Sequence, residues 1–160
     1  MEPVMPKDPE VHSAPAAVEM SEAAAANEED PAHPETMAFC PTGWLPHGHR
    51  CFKLVSSDRW GSVEENCAAL DGDLAGAETM DDYNDLHTLA QFFGHTYYWI
   101  GGFYFQGVWR WIDGSRFIYN NWHSQNSASS YPCIALRGAG GWVNTNCGYS
   151  YPAICVKRAC

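Results

Sequence analysis

All seven cysteines of this chain lie between Cys40 and Cys160, and all seven tryptophans lie between Trp44 and Trp142. Cysteines at that density in a short chain mark an oxidised, extracellular setting and a fold held by cross-links. They also place the folded part. At 160 residues there is room for one ordinary domain and a tail, and the tail is what remains before Phe39. That segment carries nine acids against one base, Lys7, is rich in proline and alanine, and has no tryptophan, tyrosine or cysteine. It cannot bury enough apolar surface to offset chain entropy, so residues 1–38 are read as a disordered acidic tail and residues 39–160 as the domain. The first residues, Met1-Glu-Pro-Val-Met, lack the basic start and apolar run of a signal peptide. The secreted location therefore rests on the cysteines, and the chain is taken to begin after its signal.

Within the domain the apolar period changes once. In Trp60 to Gly72, Val63, Cys67 and Leu70 recur at helical spacing, with Asp58 as a start signal and Gly72 as a stop. From Thr79 to Gly94, Tyr83, Leu86, Ala90 and Phe93 form a second stripe. Thr79, with Asp82 three positions on, makes a weaker relative of the capping box. Beyond Gly94 the runs are short, aromatic and β-branched: Tyr97–Gly102, Val108–Ile112, Cys133–Arg137 and Ala153–Lys157. Two helices followed by strands predict an α+β domain rather than alternating βαβ units.

One ordered series of residues carries a resemblance. It runs Cys40-Pro-Thr-Gly-Trp44, Arg50-Cys51-Phe52-Lys53, Trp60, Cys67 and Trp99-Ile-Gly-Gly102. It continues as Trp109-Arg-Trp111-Ile-Asp-Gly-Ser115, Asn121-Trp122, Cys133, Gly141-Trp142, Cys147 and Ile154-Cys155-Val156. The series resembles the C-type lectin-like domain in its long form, over about Phe39 to Arg158, and looks most like the secreted fish lectins and type II antifreeze proteins. The resemblance implies two helices, short antiparallel strands and a long loop region. It also implies three intradomain disulfides: Cys40–Cys51, Cys67–Cys155 and Cys133–Cys147. Cys160 is then left over, as a free thiol, a small-molecule adduct or an interchain bridge that would make a covalent homodimer. Trp99, Trp109, Trp111, Trp122 and Trp142 are assigned to a core beneath the long loop, since large aromatics usually fill cores.

In sugar-binding members of that family a calcium ion holds the sugar hydroxyls. Its ligands come from Glu-Pro-Asn or Gln-Pro-Asp after Asn-Trp, an acid before the next cysteine, and Asn-Asp after a tryptophan. Here Asn121-Trp122 is followed by His123-Ser-Gln-Asn-Ser, Cys133 is preceded by Tyr131-Pro132, and Trp142 is followed by Val143-Asn144. No Asp or Glu occurs from Asn120 to Cys160. Calcium requires several oxygen ligands, usually carboxylates among them, so no metal or other cofactor is expected. The ligand-binding candidates are instead the polar residues of the loop face: Gln125, Asn126, Ser127, Ser129, Tyr131, Trp142, Asn144 and Thr145.

Other classes are excluded. A net charge of −10 argues against nucleic acid, and no apolar run is long enough to span a membrane. There is no H-E-x-x-H, G-x-S-x-G or P-loop pattern, so no enzyme is expected. His47 and His49 lack a third ligand nearby and are read as loop residues. The expectation is a secreted, calcium-independent, lectin-like protein that binds a glycan or a protein, in immunity, venom or mucosal secretion. The alternative is an antifreeze-like protein that adsorbs to ice.

Overall fold

The structure, a computed structural model, describes residues 39–158. The acidic tail and Cys160 lie outside the described residues. Ten elements follow in order: β1 (Leu45–His47), β2 (Arg50–Asp58), α1 (Trp60–Ala69), β3 (Asp73–Leu74), α2 (Met80–Phe93), β4 (Tyr97–Phe105), β5 (Val108–Trp111), β6 (Cys133–Arg137), β7 (Trp142–Thr145) and β8 (Tyr151–Arg158). The three expected disulfides are all formed, with Cα–Cα distances of 5.6, 5.5 and 5.4 Å for Cys40–Cys51, Cys67–Cys155 and Cys133–Cys147.

The two helices start differently. Thr79 and Asp82 make a full capping box: Thr79 Oγ1 accepts from the Asp82 amide at 3.1 Å, and Asp82 Oδ2 accepts from the Thr79 amide at 3.3 Å. Gly94, at φ 82°, closes α2 in the left-handed conformation. Helix α1 has no side-chain cap; Asp58 bonds the adjacent Arg59 amide instead. The α1 stripe is also narrower than its period predicts. Val63 and Cys67 are buried, whereas Leu70 is exposed, because the helix ends at Ala69 and Leu70 begins the turn out of it.

The sheet is mixed, with order β1-β2-β8-β4-β6-β7, β3 on β8 and β5 on β4. The strands are not all short and antiparallel as expected: β2 and β4 run nine residues each, and β8 lies parallel to β4 at Trp99–Ala153. The last strand returns to the middle of the sheet, antiparallel to β2, and so meets β4 in the same direction. Cys67–Cys155 ties α1 to that central strand.

Two cores flank the sheet. One packs Val63, Leu74, Trp99, Ala135 and Ala153 around the Cys67–Cys155 bridge, with Trp44 and Cys51 at its edge. The other joins Leu86, Leu89 and Ala90 of α2 to Ile100, Ile134 and Ile154, and continues into an aromatic layer. That layer holds Trp111 and Trp142, buried, with Trp109 and Trp122 half-buried against them. Trp142 meets Trp111, Tyr119 and Trp122 nearly edge-on, at ring centroid distances of 5.2, 6.2 and 5.6 Å. Four of the five tryptophans expected beneath the long loop thus form its floor, whereas Trp99 is buried in the first core, beside the Cys67–Cys155 bridge.

Candidate functional site

The loop after β5 returns across this floor and docks on the outer strand β7. Trp122 forms a parallel bridge with Trp142. The Trp142 amide donates to Asn121 O at 2.9 Å, and the His123 amide to Trp142 O at 2.8 Å. Gly141 makes this approach feasible. It sits at φ +84°, and a Cβ there would fall 2.8 Å from His123 Cβ.

The next turn of the loop closes on one side chain. Asn144 is fully buried, and both polar atoms of its amide are hydrogen-bonded. Oδ1 accepts from the Asn126 backbone N–H at 2.7 Å, while Nδ2 donates to Asn126 O and Tyr131 O, both at 2.9 Å. Asn126 answers with its own amide, Nδ2 donating to Asn144 O at 2.7 Å. The Tyr131 amide donates to Ser127 O at 2.9 Å, so Ser127–Tyr131 is a small closed turn held above Asn144. Beyond it, the Tyr104 amide donates to Pro132 O and Cys133–Cys147 staples the end of the segment.

Of the eight candidate positions, Gln125, Ser127 and Ser129 present exposed side chains, and Asn126 and Tyr131 are half-buried. Trp142, Asn144 and Thr145 do not reach solvent: all three lie on β7 and are buried, at 0%, 0% and 3% exposure. The reason is the strand's alternation. Trp142 and Asn144 point under the loop that covers them. Thr145 points to the other face, where its side chain hydrogen-bonds Tyr151. These three residues build the face from beneath rather than lining it.

The turn joining β6 to β7 is held against α2 and the start of β4. Gly138 packs where a Cβ would fall 2.3 Å from His95 O, and its amide donates to Thr96 O at 2.7 Å. Two residues of α2 hold this turn. The Gly141 amide donates to the Tyr83 hydroxyl at 2.6 Å, and His87 Nε2 lies 3.3 Å from Gly138 O. Burial raises the Tyr83 pKa and lowers that of His87, so both are neutral supports. The sequence pattern assigned Tyr83 to the core but did not indicate that its hydroxyl fixes the loop region. His47, away from this face, pairs with Asp85 at 3.0 Å.

Among the described residues no group of three or more His, Cys, Asp or Glu side chains is placed to hold a metal ion. The face is a set of amides and hydroxyls fixed by internal hydrogen bonds over an aromatic floor. Such a surface binds by hydrogen bonding and shape.

This fold and this loop can be set beside known proteins. Residues 56–157 match the Lectin C-type domain family. The chain belongs to that family. It is 37% identical to ladderlectin of Oncorhynchus mykiss over 124 residues, 71% of this chain and 65% of that protein, so it spans just under two thirds of that relative. It is 32% identical to the galactose-specific lectin nattectin of Thalassophryne nattereri over 128 residues, 74% of this chain and 80% of nattectin. Among solved structures it is similar to a calcium-independent type II antifreeze protein, with a TM-score of 0.69 and 29% identity, covering 77% of this chain and 97% of the other. Membership makes this C-type lectin domain a binding protein rather than an enzyme. None of its helices within the described residues is long and apolar enough to cross a membrane.

Proposed function

We propose that this protein is an extracellular recognition protein that binds a carbohydrate through its long-loop face without calcium. The observation that carries the reading is the hydrogen-bonded Asn144 amide. The oxygens gathered at this point, Asn144 Oδ1 and the carbonyls of Asn126 and Tyr131, are already paired with N–H groups. No carboxylate follows Asn120 in the sequence to offer a replacement. The residues present do not fit a calcium ion, which takes six to eight oxygens. The exposed donors and acceptors are Gln125, Ser127 and Ser129, with Asn126 and Tyr131 partly accessible. They suit the hydroxyls of a sugar, and the similarity to a galactose-specific lectin favours a glycan over a protein as first candidate. Three disulfides and an oxidising compartment agree with an extracellular site of action.

The test is retention on immobilised galactose and mannose, run in calcium and again in chelator. Retention that chelator leaves unchanged, and that Gln125→Ala with Ser127→Ala abolishes, is the expected result. Retention that needs calcium overturns the calcium-free part; no retention on any glycan overturns the sugar part and leaves a protein ligand. A second reading, adsorption to ice, is favoured by the similarity to the calcium-independent antifreeze structure. It predicts a gap between freezing and melting points of a solution of the protein, and no gap removes it.

A further inference from the structure

We infer that Asn144 is the positioning residue of the ligand face: its side-chain amide holds the Gln125–Tyr131 loop shut in place of a cation. The inference rests on the calcium-free reading above and extends it from a missing ion to the group that does the ion's work. Three backbone groups of the loop converge on Asn144: one N–H, from Asn126, and two carbonyls, from Asn126 and Tyr131. An electropositive centre is required between the two carbonyls. A metal ion supplies one as a point charge; a primary amide supplies it as two N–H donors on one nitrogen, and its oxygen takes the remaining N–H. Only one orientation of the amide satisfies all three groups, so the network itself fixes which end is which. Asn126 completes the arrangement by donating back to the Asn144 carbonyl at 2.7 Å.

Size and burial narrow the choice of residue. Asn144 is fully buried on β7, paired in register with Ile134, and its side chain has one methylene with which to reach the loop. A carboxylate at this position keeps an acceptor for the Asn126 N–H but turns an oxygen toward the Asn126 and Tyr131 carbonyls, three acceptors with no donor between them. A leucine keeps the branching of the side chain and leaves all three backbone groups unpaired. Either change leaves buried polar groups unsatisfied. Loop opening relieves this by giving them water. The consequence is local: the loop that carries Gln125, Ser127 and Ser129 loses its single conformation, while the sheet keeps its own ladder.

Amide hydrogen exchange of the full chain, read by NMR at Asn126 and Tyr131, tests this without any ligand. In the unaltered protein both amides exchange slowly, at the same rate in millimolar calcium and in chelator. In Asn144→Leu their exchange rises about tenfold or more, while Phe52, Leu54 and Ile154 in the β2–β8 ladder keep their rates. If Asn144→Leu does not fold, Asn144→Asp retains the shape and is read at Tyr131, whose turn loses its anchor in that variant too. Unchanged loop exchange in the folded variant overturns the inference, as does a rise spread evenly over loop and ladder, which marks a structural role alone. Slower exchange on adding calcium to the unaltered protein overturns it together with the calcium-free reading. Failure to retain any glycan leaves this result untouched, so the two claims fail separately.

Discussion

The two cores of this domain are built of different materials. On one side of the sheet, small and aliphatic side chains, with the rings of Trp44 and Trp99 among them, pack around Cys67–Cys155, a bridge that closes 88 residues of chain. On the other, beneath the loop face, Trp111, Phe117, Trp122 and Trp142 pack ring against ring, mostly edge-on or tilted. Their loop is closed by a bridge of only 14 residues and by the amides of Asn126 and Asn144. Every acid of the described residues lies at or before Asp113, and the segment that forms the loop face has none. A cross-linked frame tolerates variation at its rim. A face fixed by short-range hydrogen bonds over aromatic rings depends on each of them.

Cutting the two bridges separately distinguishes the two cores most clearly. By the loop-closure model, replacing Cys67 and Cys155 with alanine costs about 4 to 5 kcal/mol, against about 3 kcal/mol for Cys133 and Cys147. Denaturant titration of both variants should preserve that order. The short-bridge variant should remain folded with a loosened loop. Equal losses would mean that the bridge at the loop carries as much of the frame as the central one does. Next in size, Trp142→Ala removes the ring that touches Trp111, Tyr119 and Trp122, and is expected to cost about 3 to 5 kcal/mol, since no neighbour can collapse into so large a void. The loss should be read by thermal melting. A cost below about 1 kcal/mol would contradict the aromatic layer as a packed core.

The frame was readable in the sequence because its determinants are periodic or carried by whole motifs. Helix α2 announces itself by Thr79, its stripe and Gly94, and the ordered cysteines and tryptophans carried the fold and the bridges. The positions of the loop were readable, but not their roles. Trp142, Asn144 and Thr145 stand in sequence where a ligand face was expected, and strand alternation buries all three. Nothing in the order of residues pairs Asn126 with Asn144, since a hydrogen bond between a side chain and a distant backbone leaves no period. Leu70 failed for a related reason: the helix ended one residue before its stripe did.

High pH tests a tyrosine from each core. Tyr98 is fully buried, its hydroxyl donating to Ala90 O at 2.6 Å and accepting from the His95 amide at 2.7 Å, and burial pushes its pKa up. Burial likewise raises Tyr151 to about 12. The unfolded chain releases these protons near the ordinary tyrosine value of about 10, while the folded chain retains them. The unfolded state then binds fewer protons, so stability is intact below about pH 10 and falls as pH rises above it. Each such tyrosine contributes a loss of up to about 1.4 kcal/mol per pH unit until its folded pKa is reached. Melting curves at pH 9, 10 and 11 should show the fall, and Tyr98→Phe should make it shallower. A profile flat to pH 11 would contradict the raised pKa of both tyrosines. Smaller still is Thr79→Ala, which removes the capping box of α2 for about 1 kcal/mol.

The smallest effect on stability should accompany the largest effect on binding. Gln125 and Ser127 are exposed, and the bonds that shape their loop run through Asn126, Tyr131 and Asn144 instead. Alanine at both positions should therefore leave the melting midpoint unchanged within the scatter of surface substitutions, about 0.5 kcal/mol. Retention on glycan should nevertheless be lost, because each side chain removed is a donor and acceptor that the fold does not use. A variant that melts normally yet still binds would move the ligand off this turn, toward the neighbouring Ser129 or the β6–β7 turn that Tyr83 and His87 support. A variant that melts lower than this limit would mean that the turn serves the frame as well as the face, and that the division between the two halves is less complete than their materials imply.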